Sequence, residues 1–153
     1  MKIAINKILC PVDFSDNADH ALQYALAFAQ AHDAELTLIH AVENPVLVSL
    51  DYPVLPYGNV NDLAKSAQHK LDEILVRIKQ EHEKVLSKVT IGTPFIEIIQ
   101  YARNHEVDMI VLGTHGKSGL AHVLMGSVSE RVVRKAPCPV LTIKHPEHEF
   151  VMP

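Results

Sequence analysis

The sequence predicts an α/β protein in which helices cover both faces of a five-stranded parallel sheet. Two observations support this prediction: five apolar runs alternate with four stretches of helical periodicity, and a glycine-rich turn follows the fourth run. Strict strand–helix alternation is typical of parallel sheets, because each crossover lays a helix against one face. The chain has 153 residues, and we predict a single domain over residues 1–153.

The apolar runs define the predicted strands, which we expect over Ile3–Val12, Leu36–Val42, Val85–Ile91, Val107–Leu112 and Pro139–Lys144. After the first strand, Ser15 or Asp16 can cap a helix. The apolar stripe of that helix is Ala18, Ala21, Leu22, Ala25, Phe28 and Ala29. The second helix is long and amphipathic, with the stripe Leu63, Ala67, Leu71, Ile74, Leu75 and Ile78.

The third and fourth helices have clear boundary signals. Thr93 is the expected cap of the third helix, with Pro94 at its first position. Its buried stripe is Phe95, Ile98, Ile99 and Ala102. The fourth helix is short, Ser127–Lys135, and ends before Pro137.

Right-handed crossovers and five strands favour the flavodoxin-like strand order 3-2-1-4-5. The first and fourth strands are then central neighbours. From the first strand the chain builds the sheet towards one edge, and from the fourth strand it builds the sheet towards the other edge. Ligands bind at such a switch point, beyond the carboxyl ends of the strands. The loops Pro11–Ser15 and Gly113–Ser127 meet there.

Composition narrows the class of partner. A formal charge of −4 gives no reason to expect nucleic acid or a membrane surface as a partner. No apolar run approaches the roughly 18 residues of a membrane span, and no cleavage site follows the N-terminal run, so we expect a cytoplasmic protein.

Cys10 and Cys138 are expected to be buried and reduced. The long apolar segment Asn44–Val60 covers a site or a partner, or is a loosely ordered excursion.

The glycine-rich turn is the most informative motif. Gly113 and Gly116 follow the fourth strand, and Gly126 and Ser127 come nine residues after Gly116. Glycines at a strand end let backbone N–H groups approach an anion closely. Ser127 is placed to cap the next helix and to add a hydroxyl. The expected ligand is a nucleotide phosphate.

Several polar residues near this turn have two interpretations. Asp13 can accept hydrogen bonds from a ribose, or it can complement the dipole of the first helix. Lys117 can contact phosphate or be solvated; it does not belong to a Walker A loop, because Val111 stands where that motif needs glycine. His115 can contact phosphate or a metal-bound water. The ten histidines show no metal-ligand spacing, and we predict no metal site and no catalytic residue.

These residues together resemble the universal stress protein family, specifically its ATP-binding branch. The resemblance runs from about Lys7 to Lys144. It includes KILCPVDFS, LIHAV, Gly92-Thr93-Pro94 and Ala136-Pro-Cys-Pro-Val-Leu. Its most specific part is the spacing of Gly113, Gly116, Gly126 and Ser127. The resemblance implies the Rossmann-like fold of adenine nucleotide alpha hydrolases.

The resemblance also implies roles for individual residues. Asp13 would bind the ribose, and Pro11, Val12 and the Ala41 backbone would border adenine. The phosphates would be held by Gly113, Gly116, Gly126, Ser127 and the Val128 amide. His115 stands where many relatives have Arg, and a neutral His offers less charge to a phosphate. Because relatives commonly pair through their last strands, Pro139–Lys144 would be the edge of a homodimer.

The expected function is therefore a cytoplasmic ATP-binding regulatory protein of the stress response with an unidentified protein partner. The cofactor would be ATP, with or without Mg²⁺ or Mn²⁺. The alternatives are a slow ATPase or nucleotidyl transferase on the same fold, for which His115 and Lys117 are the candidate groups, and a binder of ADP, AMP or another adenylate. A phospho-receiver is disfavoured, because Thr90-Ile91-Gly92 ends the third strand where a receiver needs aspartate.

Overall fold

The computed structural model describes residues 3–43, 59–115 and 125–144. The strands are β1 (Lys7–Pro11), β2 (Glu35–Val42), β3 (Val85–Ile91), β4 (Met109–Gly113) and β5 (Val140–Ile143). The helices are α1 (Asp16–His32), α2 (Val60–Lys79), α3 (Pro94–Asn104) and α4 (Ser127–Lys135). Outside the described residues lie most of the segment Asn44–Val60, together with Gly116 and Lys117.

The sheet is parallel, and its strand order is β3-β2-β1-β4-β5. This confirms the predicted order, with β1 between β2 and β4. The core has two layers, one on each face of the sheet. Buried side chains of α1 and α2, such as Leu22 and Leu71, pack with Leu36 on one face. On the other face Ile98 of α3 and Val132 of α4 pack against the sheet.

Two strand starts differ from the prediction by two residues or more, while the other strand ends agree to within one residue. A single carboxylate explains the first difference. β1 begins at Lys7, not at Ile3, because Asp108 Oδ2 accepts hydrogen bonds from the amides of Asn6 and Lys7 at 2.8 and 2.9 Å. The backbone hydrogen bonds between β1 and its neighbouring strands thus begin only after the Asp108 side chain has accepted from these two amides. β4 begins at Met109, because the Val107 amide closes the end of α3 by donating to Ala102.

The helix boundaries agree well, with three corrections. Ser15 caps α1 as predicted, but Thr93 at the start of α3 makes no side-chain capping bond. Ser127 is the first residue of α4, and the cap position belongs to Gly126. On α2 the predicted core residue Leu63 is 44% exposed, since it lies in the first turn, beyond the buried stripe that begins at Ala67.

The remaining expectations concern the membrane and the cysteines. Within the described ranges, no helix has the length and apolar content needed to cross a membrane. Both cysteines are free. Cys10 is buried as expected, whereas Cys138 is partly exposed, because it lies before β5 rather than within it.

Candidate functional site

A cavity of about 400 Å³ opens at the carboxyl ends of the central strands. It includes the ends of β1 and β4, the predicted switch point. Its size lies within the range of about 300–1,000 Å³ that is usual for small-molecule and cofactor sites. Nine of the ten predicted site residues line it: Pro11, Val12, Asp13, Ala41, Gly113, His115, Gly126, Ser127 and Val128. The tenth, Gly116, lies outside the described residues.

The turn after β1 is stabilised by a short chain of side-chain hydrogen bonds. Asp13 Oδ1 accepts from the Ser15 amide at 3.0 Å and from the Ser15 hydroxyl at 2.5 Å. The same hydroxyl oxygen accepts from the Ala18 amide at 3.2 Å and so caps α1. Asp13 therefore supports the helix start while its side chain lines the cavity. The two interpretations of Asp13 are compatible, because a carboxylate can accept more bonds than these two.

His40 fixes the other side of this turn. Its Nδ1 lies 2.7 Å from the Val12 carbonyl oxygen, and because a carbonyl can only accept, Nδ1 carries the proton. The His40 ring also lies 4.6 Å from the ring of Phe14, centroid to centroid. Phe14 has a φ of 62°, in the left-handed region that a bulky side chain rarely adopts. Such a backbone conformation persists where the surroundings fix it.

Close packing favours glycine at position 113. A Cβ at this position would lie 3.0 Å from the carbonyl oxygen of Asn17, in the first turn of α1. The missing side chain lets α1 approach the end of β4 closely. A structural reason for glycine thus exists at this position, independent of phosphate binding.

The N-terminus of α4 carries no side-chain cap. Its cap residue is Gly126, whose own amide donates to the Thr114 carbonyl at 2.6 Å. Among the described residues, the amides of Ser127, Val128 and Ser129 have no hydrogen-bond acceptor. Helix N-terminal amides of this kind, together with the helix dipole, form an electropositive surface suited to an anion. Ser127 contributes its amide and hydroxyl as a helical residue rather than as a cap.

Two titratable groups bear on the chemistry of the cavity. His115 is 8% exposed, and its Nδ1 lies 2.9 Å from the Thr114 hydroxyl oxygen. Cys10 precedes Pro11, and burial, with a smaller contribution from the charge of Asp19, raises the pKa of its thiol to about 12. That thiol stays protonated at neutral pH, so it is a poor nucleophile. Nowhere in the described ranges do three His, Cys, Asp or Glu side chains form a potential metal site.

The cavity also contains residues that the sequence did not indicate. Three are polar: His40, Glu43 and Ser129. Ser129 lies two residues beyond the glycine–serine pair, but its partner, the Gly113 carbonyl, is sixteen positions away. The apolar lining comes from Ala18, Ile39, Pro94, Ile98 and Leu112. Position at a strand end was the available signal for His40 and Glu43, because both lie, like Ala41, at the carboxyl end of β2.

The sheet order and the cavity at its switch point place the chain among the doubly wound, Rossmann-like α/β proteins. Comparison with known families gives the narrower assignment. The chain belongs to the universal stress protein family, which matches residues 4–144. Universal stress protein MJ0577 of Methanocaldococcus jannaschii is 32% identical over 158 residues, covering 94% of this chain and 98% of that protein.

Solved structures agree with this assignment. That of MJ0577 has a TM-score of 0.77 at 32% identity and covers 95% of this chain and 99% of its own. Universal stress protein UspA from Lactobacillus plantarum has a TM-score of 0.75 at 31% identity, covering 93% and 99%. The universal stress protein from Archaeoglobus fulgidus in complex with dAMP has a TM-score of 0.66 at 22% identity, covering 94% and 100%, a likeness of fold alone.

Proposed function

We propose that this protein binds an adenine nucleotide, ATP in the first place, and acts as a nucleotide-dependent regulatory module of the stress response. The order of polar groups along the cavity is the observation that supports this most directly. Ala41, Asp13 and Gly113 lie at the carboxyl ends of the neighbouring strands β2, β1 and β4, in that order, and the N-terminus of α4 lies beyond them. That order matches the order of base, ribose and phosphates in a nucleotide.

Electrostatics favour one orientation of the ligand. The side of the cavity at β1 and β2 carries the carboxylates Asp13 and Glu43, which repel phosphates and accept hydrogen bonds from hydroxyl and amino groups. The opposite side carries the uncapped N-terminus of α4. We therefore assign the base to Val12 and Ala41, the ribose to Asp13, and the phosphates to Gly113, His115 and α4, with Gly116 expected to join them.

The base side also suits a flat apolar ring. Pro11, Val12, Ile39 and Ala41 line it, and Pro94 and Ile98 add apolar surface from α3. The Archaeoglobus fulgidus protein in complex with dAMP shares this fold, which supports the accommodation of an adenine nucleotide within it. The shared base and ribose contacts leave ADP and AMP as competing ligands, with or without a divalent cation.

A regulatory binding role is favoured over catalysis by the chemistry near the phosphate side. Efficient phosphoryl transfer assembles a base, a lysine and metal-binding carboxylates around the phosphates. Among the described residues that line that side, His115 carries the one imidazole, and none is a lysine or a carboxylate. A slow ATPase is the second candidate. A His115→Ala variant that loses multiple-turnover hydrolysis but keeps its ATP affinity would favour the enzyme.

We further propose a cytoplasmic homodimer that pairs through β5, an edge strand of the sheet. Its residues Val140–Ile143 include no charge, whereas the other edge, β3, presents the exposed Lys88. The carbonyls of Pro139 and Ile143 accept from β4, so the alternate residue Thr142 directs its backbone away from β4. Thr142→Pro should therefore halve the mass measured by light scattering and leave the fold intact. An unchanged dimer would exclude β5.

A thermal-unfolding titration tests the central part of the proposal. Protein stripped of bound nucleotide is unfolded with ATP, ADP, AMP or adenosine, each with and without Mg²⁺. At a ligand concentration about 100-fold above Kd, binding adds about 2.7 kcal/mol, or roughly 5–10 °C in Tm. A shift with ATP supports the proposal, and the ranking of the ligands identifies the preferred adenylate. A folded, stripped protein that none of the four stabilises would contradict it.

A further inference from the structure

Ser129 is a buried serine whose hydroxyl bonds outside its own helix. It is 6% exposed, and its Oγ donates to the Gly113 carbonyl at 2.8 Å. A serine inside a helix commonly faces water or bonds back to a carbonyl of the preceding turn. Here the hydroxyl instead links the first turn of α4 to the last residue of β4.

A second hydrogen bond joins the same two segments. The Gly126 amide donates to the Thr114 carbonyl at 2.6 Å, and the Thr114 amide in turn donates to Ile143 of β5 at 3.0 Å. The first turn of α4 is thus attached to β4 at both of its ends, through Gly126 and through Ser129. The attachment is anchored in the sheet.

The amides of Ser127 and Val128 lie between these two attachments. Their direction depends on how the first turn sits against β4, and both residues line the cavity. An anion gains most from donors that are already oriented, because no energy is spent in aligning them on binding. Loss of one attachment would let this turn shift or fray.

We propose that Ser129 is a positioning residue for the phosphate side of the site. Its hydroxyl, bonded to Gly113, holds the α4 amides in the orientation that binds phosphate. The inference rests on the proposed nucleotide function and adds a residue outside the glycine–serine motif. It predicts that Ser129 influences the phosphates of the ligand and not its base or ribose.

The test compares ATP with adenosine by titration calorimetry on the full chain. Ser129→Ala should weaken ATP binding by about 5–20-fold, the scale of roughly one hydrogen bond between an α4 amide and phosphate that is no longer aligned. Adenosine binding should stay within about twofold, the scale of a few tenths of a kcal/mol. Ser129→Thr keeps the hydroxyl and should restore most of the affinity. Ser129→Cys, similar in size but a weak donor, should resemble Ala.

A matched control removes a serine hydroxyl elsewhere. Ser87 on β3 accepts a hydrogen bond from Gln68 at 3.2 Å and does not line the cavity, so Ser87→Ala should change neither affinity. Equal loss of ATP and adenosine by Ser129→Ala would show a merely structural role and overturn the inference. No loss of ATP affinity would overturn it as well. Wild-type protein that binds neither ligand would refute the proposed function, and this inference with it.

Discussion

Two helix N-termini, those of α1 and α4, border the same cavity, and they differ in whether the cap residue's side chain accepts a hydrogen bond from the first turn. At α1, Ser15 supplies a side-chain cap, Asp13 bonds to Ser15, and Asp16 and Asp19 add negative charge to the first turn. At α4, the cap residue Gly126 has no side chain to accept from the first amides, and the acidic residue of the first turn, Glu130, pairs with Arg134 at 3.1 Å. Both helices direct the positive end of their dipole towards this edge of the sheet.

The difference shows that a helix dipole alone does not create an anion site. At α1 the amide of Ala18 already has an acceptor, and the surrounding carboxylates repel a phosphate. At α4 the amide in the same position of the first turn, that of Ser129, has no acceptor among the described residues. The chemistry of the cap residue therefore decides which of the two N-termini is available to a ligand.

The largest predicted effect comes from giving α4 the kind of cap that α1 has. In Gly126→Asp the carboxylate should bond to the amides of Val128 and Ser129 and repel the phosphates. We expect ATP to bind more than about 100-fold more weakly, the scale of two lost charge-assisted hydrogen bonds. The free protein should gain about 0.5–1 kcal/mol of stability at most, because Gly is already a tolerable cap. Calorimetry and denaturant unfolding measure the two effects.

Gly126→Asn is the matched control for charge. It offers a similar cap without a negative charge, so its ATP affinity should lie between those of the wild type and Gly126→Asp. Gly126→Val adds bulk without a cap and should also block binding. Tight ATP binding by a folded Gly126→Asp or Gly126→Val protein would mean that the phosphates lie elsewhere.

Substitution of Asp13, on the acidic side of the cavity, should affect the binding of ATP and adenosine equally. Asp13→Ala is expected to weaken ATP and adenosine alike by about 1–3 kcal/mol, since a hydrogen bond to the ribose is common to both. In Asp13→Asn the side-chain amide oxygen can still accept from Ser15, so the start of α1 keeps its support. A loss of affinity in this variant therefore reports on ligand binding and not on the helix. Unchanged affinity in both variants would remove Asp13 from the site.

Gly113 connects the two regions, because Asn17 of α1 and Ser129 of α4 both contact it. Gly113→Ala should lower the free energy of unfolding by about 1–2 kcal/mol, since overpacking outweighs the entropy gained by replacing glycine. Denaturant unfolding of the ligand-free protein checks this. A stability equal to that of the wild type would show that the glycine is retained for the ligand alone.

The smallest predicted effect on ATP affinity is at α1, the helix that Ser15 caps. Ser15→Ala should cost about 1 kcal/mol of stability through loss of the cap. ATP affinity should change by less than about twofold, well below the scale of a lost charge-assisted bond. Chemical unfolding and calorimetry on the same preparation give both values. A loss of ATP affinity that adenosine does not share would mean that α1 takes part in phosphate binding.

Local sequence patterns predicted the strand order and most helix boundaries, because strand–helix alternation and cap residues act over short distances. The start of β1 was wrong, since Asp108, a residue about a hundred positions away, satisfies the first amides. The cap of α4 was wrong for a different reason. A Gly-Ser pair allows either residue at the cap position; Gly126 is the cap because its backbone is extended and its carbonyl accepts from the Glu130 amide at 3.0 Å.

The candidate site was likewise predictable where it depends on local sequence and not where it depends on contacts distant in sequence. The glycine spacing and the strand ends indicated the residues that line the cavity by backbone position. His40 and Ser129 were missed, because each contributes through a hydrogen bond to a carbonyl distant in sequence, at Val12 and Gly113. No periodicity or motif encodes such a partner. Packing of α4 against β4 creates the bond to Gly113.

Amide chemical shifts recorded by NMR with ATP and with adenosine test the central comparison most directly. The difference between the two ligands isolates the effect of the phosphates. We predict that this difference is largest at Ser127, Val128 and Ser129 and small at Asp16, Asn17 and Ala18. A difference concentrated at the first turn of α1, with α4 unaffected, would contradict the account.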